Sequence, residues 1–248
     1  MSMLNTDTAP PPHPAATPGR VARALLRWMT RPMRVAAVEP ISPRFRLIDL
    51  EGDGLKSVAW LPGQKVQMAI GARLSSRTYT PRSWDADAGR TRLLAFLHGD
   101  GPGSRWASSL LEGDDCQFFG PRRSLDVSGA DGPVVLSGDE TSFGLAAALH
   151  GGPAAAELVF EVSDAAESRA VLTALGLGRA TVIKRRDDDA HLAAIGADLS
   201  RHVARGARFV LTGKAQSVQT VSQALKSGMG SSSVKSKAYW SPGRTGLD

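Results

Sequence analysis

At Gly132 the 248-residue chain changes its rhythm, and that change limits the possible folds more than any other feature it has. Before it, apolar runs at 33–38, 45–50, 65–70, 77–80, 92–97 and 116–119 are short and partly alternating. Turn clusters such as Glu51-Gly52-Asp53-Gly54 and Leu61-Pro62-Gly63 separate them. Alternation of period two marks half-buried strands, and Gly, Pro and Asp mark the turns between them. One helical stretch, 105–111, interrupts the series. Six short strands and one helix predict a closed antiparallel β-barrel. After Gly132, apolar runs at 134–137, 158–162, 181–184, 209–212 and 234–240 alternate with helical patterns at 141–149, 167–175, 191–204 and 215–226. That alternation predicts a doubly wound α/β domain with a mainly parallel sheet, whose ligands sit beyond the C-terminal strand ends. Ser137-Gly138-Asp139-Glu140-Thr141 and Thr212-Gly213-Lys214 occupy such ends.

The expected organisation is a disordered tail over 1–19, a barrel domain over 20–131 and an α/β domain over 132–248. The tail carries five prolines and no apolar core of a secretory signal, and no run approaches the roughly 18–20 apolar residues that span a bilayer. A cytoplasmic protein without stable membrane insertion is the expectation. Residues 20–31 alternate arginines with Val21, Leu25, Leu26, Trp28 and Met29 at helical spacing. This fits a short helix ended by Pro32 and packed on the barrel, and it also suits contact with anionic lipid.

Cys116 is the only cysteine, so an internal disulfide, an iron–sulfur ligand set and a thiolate zinc site are excluded. The five histidines (13, 98, 150, 191 and 202) show no metal-ligand spacing. Electron chemistry in this chain therefore needs a borrowed organic cofactor, and iron would have to arrive with its own ligands. The net charge of +6 is uneven: from Arg201 onward eight Lys or Arg stand against Asp248 alone. The rest of the chain is near neutral. A basic C-terminal region points to an anionic partner, although an ordinary solvated face has the same composition. Its cations are not interleaved with aromatics as in nucleic-acid modules, so no nucleic acid is expected.

Two segments carry candidate chemistry. In Arg77-Thr78-Tyr79-Thr80-Pro81-Arg82, a strand would place Arg77 and Tyr79 on one face. A guanidinium that forks onto phosphate, beside an aromatic that lies on a ring, suits a nucleotide cofactor. In Phe96-Leu97-His98-Gly99-Asp100-Gly101-Pro102-Gly103-Ser104-Arg105-Trp106-Ala107, glycines allow close backbone approach and Ser104 is placed to N-cap a helix. Open amides at that helix start make an anion site. The dinucleotide fingerprint is absent, since Gly176-Leu177-Gly178-Arg179 lacks the third glycine and a preceding strand.

With Gly138 to Thr141 and Tyr239-Trp240, these segments resemble the siderophore-interacting protein family, FAD-containing ferric-siderophore reductases of the ferredoxin-reductase-like superfamily. That family shows Arg-x-Tyr-Thr-x-Arg, His-Gly-x-x-Gly-Pro-Ala-x-x-Trp-Ala, Gly-Asp-Glu-Thr and a late Tyr-Trp. Here the second motif has one residue fewer before Gly101, and Gly103 stands where alanine is usual. The resemblance runs from about residue 33 to the end.

The resemblance implies that Arg77 binds the FAD pyrophosphate, Tyr79 lies against the isoalloxazine and Thr80 bonds its N5/O4 edge. It implies that Leu97 and His98 line the ribityl and adenosine, and that Gly101, Gly103, Ser104, Trp106 and Ala107 seat the pyrophosphate. Arg82, Thr141 and Trp240 complete the expected cofactor set. Lys214, Lys237 and Arg244 are the expected contacts of an anionic ferric siderophore. The implied activity is reduction of siderophore-held iron(III) by FAD, in a monomer. A general flavin reductase and a siderophore-binding shuttle are the alternatives. Many relatives carry Gly-Glu where this chain has Gly213-Lys214, and the acidic form belongs with nicotinamide use. NAD(P)H and reduced ferredoxin both stay open as donors.

Overall fold

The computed structural model describes residues 30–70, 76–125, 133–150, 156–227 and 234–243. The expected tail over 1–19, most of the amphipathic segment 20–31, and Arg244 lie outside the described residues.

The first part folds into seven antiparallel strands and one helix. The strands are β1 (Arg31–Ser42), β2 (Phe45–Glu51), β3 (Lys65–Ala69), β4 (Ser76–Tyr79), β5 (Pro81–Asp85), β6 (Arg90–Phe96) and β7 (Asp115–Arg122), and the helix is α1 (Pro102–Ser109). Their order across the sheet is β4-β3-β7-β1-β2-β6-β5. β4 and β5 lie at opposite ends of that order, yet only Thr80 separates them in the chain. The sheet therefore curls until its two edges meet, which gives the barrel shape expected. The strand missing from the sequence reading is β5. It opens on Pro81 and alternates Trp84 with polar Arg82, Ser83 and Asp85, a composition suited to an edge strand, where a missing N–H costs no ladder bond. Residues 31 and 32 open β1, with Arg31 opposite Phe118, so the segment expected to be helical gives way to strand by Arg31 rather than stopping at Pro32.

β2 explains why the run at 45–50 alternates only in part, with Leu47 and Ile48 side by side. Ile48 and Leu50 point into the barrel core with Met33, Val66, Met68 and Phe118. Phe45 and Leu47 point the other way, into a core shared with the second domain. A strand buried on both faces loses its alternation.

The second part contains β8 (Val134–Gly138), β9 (Ala156–Val162), β10 (Thr181–Lys184), β11 (Arg208–Lys214) and β12 (Val234–Trp240). Helices α2 (Phe143–His150), α3 (Ala165–Ala174), α4 (His191–Val203) and α5 (Ala215–Lys226) connect along the chain. The sheet order is β10-β9-β8-β11-β12, with every pair parallel. The winding reverses between β8 and β11, which makes their C-terminal ends the switch point where such sheets open a crevice.

Stacked rings and a partly buried carboxylate are among the contacts that dock the domains. Phe45 stacks on Phe143 at 5.4 Å between ring centres. The Glu167 carboxylate of α3 accepts hydrogen bonds from the Ser42 hydroxyl (2.7 Å), the Arg44 amide (3.0 Å) and the Arg44 guanidinium (2.6 Å). The β1–β2 turn is thereby fixed to the second domain, and the switch point faces the barrel.

Candidate functional site

A cavity of about 270 Å³ lies between the barrel and the switch point. β4 and the residue after it supply Arg77, Thr78, Tyr79 and Thr80; β6 supplies Leu94 and Phe96; the loop into α1 supplies His98 and Gly101 to Ser104. The second domain supplies Glu140, Thr141 and Gly144 from the switch point and Lys237 to Trp240 from β12. Of the sequence-derived cofactor set, the cavity wall gathers Arg77, Tyr79, Thr80, His98, Gly101, Gly103, Ser104, Thr141 and Trp240.

α1 begins at Pro102, three residues before the predicted helix, with Gly101 in the cap position. Pro at the first helical position is preorganised in φ and lacks the N–H that would go unpaired there. Ser104 is therefore inside the helix and does not cap it. Its buried hydroxyl accepts from the His98 amide and donates to the His98 carbonyl, both at 3.0 Å, which fixes the 98–104 loop against the helix. Gly103 sits close to β4: a Cβ on it would lie 3.3 Å from Arg77 Cγ and 3.5 Å from the Tyr79 hydroxyl. Arg77 and Tyr79 thus pack directly on the helix start. Tyr79 is held from behind by Trp106, 5.5 Å away between ring centres, and burial pushes its phenol pKa up.

Four expected residues are not in the cavity wall. Trp106 and Ala107 belong to the barrel core side of α1. Leu97 lines an open groove with Gly99, Asp100, Arg105 and Ser108, which shares Ser104 with the cavity. Arg82 points elsewhere, into the field of Arg92, Asp49 and Glu39. Among the expected substrate contacts, Lys237 lines the cavity and Lys214 does not. The Lys214 ammonium lies 3.4 Å from Asp189, whose other oxygen accepts from Gln216 at 2.6 Å. The strand pairing explains the split: Thr212 is opposite Lys237, whereas Lys214 sits past a register shift, opposite Trp240.

The reading missed Lys65, Phe96 and Glu140 as wall residues, and placed Tyr239 in a motif without giving it a role. Lys65 had a signal, a cation at the head of a strand that also carries Val66 and Met68, and the fold buries it at 8% exposure. Glu140 is 2% exposed and held by Ser163 (amide and hydroxyl, both 2.6 Å) and Arg185 (3.1 Å). The Tyr239 side chain hydrogen-bonds that of Thr80, so β12 touches the barrel directly, and burial pushes its phenol pKa up. Burial also lowers the His98 pKa, although Glu140 pulls the other way. Trp240 lies between the two domains, 6.2 Å from the His98 ring and 6.0 Å from the Arg185 guanidinium.

Behind Thr141 and Trp240 sits Asp139, fully buried at the end of β8. One carboxylate oxygen accepts from the Thr141 amide (2.9 Å) and hydroxyl, the other from the Lys214 amide (2.8 Å) and the Trp240 indole (2.7 Å). Burial raises its pKa to about 6 in spite of the Thr141 and Trp240 bonds.

The donor set fits a flavin nucleotide. It combines an arginine for phosphate, a helix start whose Gly101 and Pro102 face the cavity, and apolar and aromatic walls for a ring system. Gly99 and Gly101 have open space where a side chain would stand, so a ligand could lie against their backbone.

Comparison with known proteins bears on this site. Residues 61–125 match the model of the siderophore-interacting FAD-binding domain, a stretch that contains Arg77 to Ala107. A siderophore utilization protein from T. fusca superposes with a TM-score of 0.67 at 24% identity, covering 88% of this chain and 95% of its own. A siderophore-interacting protein from Aeromonas hydrophila gives 0.71 at 20% identity, covering 88% and 93%. A ferredoxin-NADP+ reductase variant from Plasmodium falciparum gives 0.63 at 12% identity, covering 85% and 96%. No curated protein matches the chain in sequence. The fold is the ferredoxin-reductase-like one, and within it the barrel carries the match to a siderophore-interacting FAD-binding domain.

Proposed function

We propose that this chain is an FAD-dependent oxidoreductase that reduces iron(III) held in a siderophore, with the ferric chelate as substrate. The observation that carries the reading is a cavity where Arg77 to Thr80, His98, Gly101 to Ser104, Thr141 and Trp240 converge from two domains. Bound FAD would supply electrons, and the iron(II) so formed is held less tightly by hard oxygen ligands, which loosens the chelate. In this reading Arg77 and the α1 start hold the pyrophosphate, while Tyr79 and Thr80 orient the ring. Leu97 and Arg105, in the open groove beside Ser104, lie along the path of the nucleotide's remainder. Trp106 and Ala107 act from behind, by setting where Tyr79 and the helix start stand.

Lys65 and Lys237 add positive charge to the cavity wall, which favours a polyanionic chelate. Lys214, engaged with Asp189, is a weaker substrate contact than Lys237. The donor is NAD(P)H or reduced ferredoxin.

Anaerobic stopped-flow absorbance of the flavin tests the whole reading. The photoreduced protein should reoxidise with a ferric siderophore much faster than with a simple dye acceptor. Reduced flavin that persists beside the ferric chelate would leave a binding shuttle. Equal rates with chelate and dye would leave a general flavin reductase. Mixing the oxidised protein with NADH, NADPH and reduced ferredoxin in turn identifies the donor.

A further inference from the structure

The geometry points to Asp139 as the positioning residue of this site, a carboxylate behind the cavity wall that fixes both Thr141 and Trp240. The inference rests on the reading of the cavity as the electron-transfer site. Three strand ends meet at this one side chain: its own β8, β11 through the Lys214 amide, and β12 through the Trp240 indole. The chain has made room for it. Gly213 has φ +103°, and a Cβ there would stand 2.5 Å from the Asp139 carboxylate. Gly138 is equally confined, since a Cβ on it would meet the Ser142 hydroxyl at 2.4 Å and the Thr212 hydroxyl at 2.8 Å.

A buried carboxylate is costly, and its retention asks for something an apolar side chain could not do. Here it takes four hydrogen bonds at once, and three of the four donors belong to Thr141 and Trp240, two residues of the cavity wall. Thr141 is gripped by its amide and its hydroxyl, so the hydroxyl proton is directed away from the cavity and its lone pairs are left for a donor there. Trp240 is gripped at the indole N–H, which sets the ring plane between His98 and Arg185. Asp139 thereby determines, without touching the ligand, what the second domain presents to it.

The two carboxylate oxygens give the test a way to separate the two grips. In Asp139→Ala both are lost. In Asp139→Asn the amide nitrogen cannot face the Lys214 amide and the indole, neither of which can turn away. It faces Thr141 instead, whose hydroxyl can rotate to accept. Side-chain and backbone ¹⁵N–¹H NMR on the protein as purified reads both grips, with the Trp240 indole peak assigned as the one lost in Trp240→Phe. The expected result for Asp139→Asn is a shifted Thr141 amide and an unmoved Trp240 indole. In Asp139→Ala both peaks move and the indole N–H exchanges faster with solvent, while the indole peaks of Trp60, Trp84 and Trp106 hold.

Kinetics supply the functional arm. Asp139→Ala should raise KM for a ferric chelate severalfold, and should add little when placed on Trp240→Phe. A Trp240 peak that stays put in folded Asp139→Ala overturns the inference, as does a KM effect of the same size in both backgrounds. If Asp139→Ala does not fold, the Asn variant decides alone, and movement of neither peak refutes the role. Failure of the flavin reading is separately visible, as a protein without flavin absorbance whose NMR responses are nevertheless as described.

Discussion

Arg77 stands with its Nη1 donating to the Ser76 carbonyl at 2.7 Å and its aliphatic stem against Gly103, so the side chain is held beside the helix start. Arg77→Ala removes a charged phosphate partner and should weaken FAD binding by about 1.5–3 kcal/mol, read by fluorescence titration of the stripped protein. Asp139 sets a different expectation, on stability. Its folded pKa of about 6 lies above the ordinary value of 3.8, mainly through burial. Between these values the unfolded chain releases its proton while the folded chain keeps it, so this group makes the fold less stable as pH rises through that window. The advantage of the wild type over Asp139→Asn in urea unfolding should therefore shrink from pH 4 to pH 6 and level off above. An advantage that grows with pH would mean that the carboxylate, not the acid, is favoured at that site.

At the scale of elements, the β1–β2 turn and the start of α3 help to hold the second domain on the barrel. Glu167 is partly buried, which alone would raise its pKa, but hydrogen bonds from Ser42 and Arg44 outweigh that and hold it below the ordinary range. Its contribution is present above the usual carboxylate range and is lost as pH falls through the folded value. Glu167→Gln at neutral pH should cost about 1.5–3 kcal/mol, because a hydrogen-bonded charge is replaced by a weaker and partly mismatched amide. Chemical denaturation checks the size. Domain docking also explains Gly144, where a Cβ would press to 3.2 Å on the Thr80 carbonyl, so α2 lies directly against the strand-end that carries the site.

For the whole molecule, the sign of the field matters more than any one ion pair. The positive excess from residue 201 onward includes Lys237 in the cavity wall, and Lys65 and Arg77 face it from the barrel. Reduction of anionic ferric chelates should then slow steeply with ionic strength, and Lys237→Ala should slow it at low salt while leaving FAD content unchanged. Rates that fall equally with a neutral chelate would assign Lys237 to the flavin or the donor instead. The Lys214→Ala variant should show less, because that residue stands outside the cavity wall. Among the described residues no helix is long and apolar enough to cross a membrane.

The sequence by itself determined the two-part architecture and most of the segments that meet at the cavity. Strand and helix periodicities are local, and a motif such as Arg77-Thr78-Tyr79 is legible because its residues serve one strand. β10, α5 and β12 fell where their patterns placed them, while β5 was lost because an edge strand with Pro81 and few apolar residues sends no periodic signal. Only the tertiary structure decided which side chains meet. Arg82 and Lys214 have the right chemistry and neighbouring positions, yet one faces Asp49 and Glu39 and the other Asp189. Lys65, at the head of β3 and outside every motif, lines the same cavity as Glu140 from the switch point. Strand order and register are set by long-range pairing, and a side chain's face changes with a single step of register. That is why many residues of the cavity wall could be named from the chain, while Lys65 and the turning away of Arg82 and Lys214 could not.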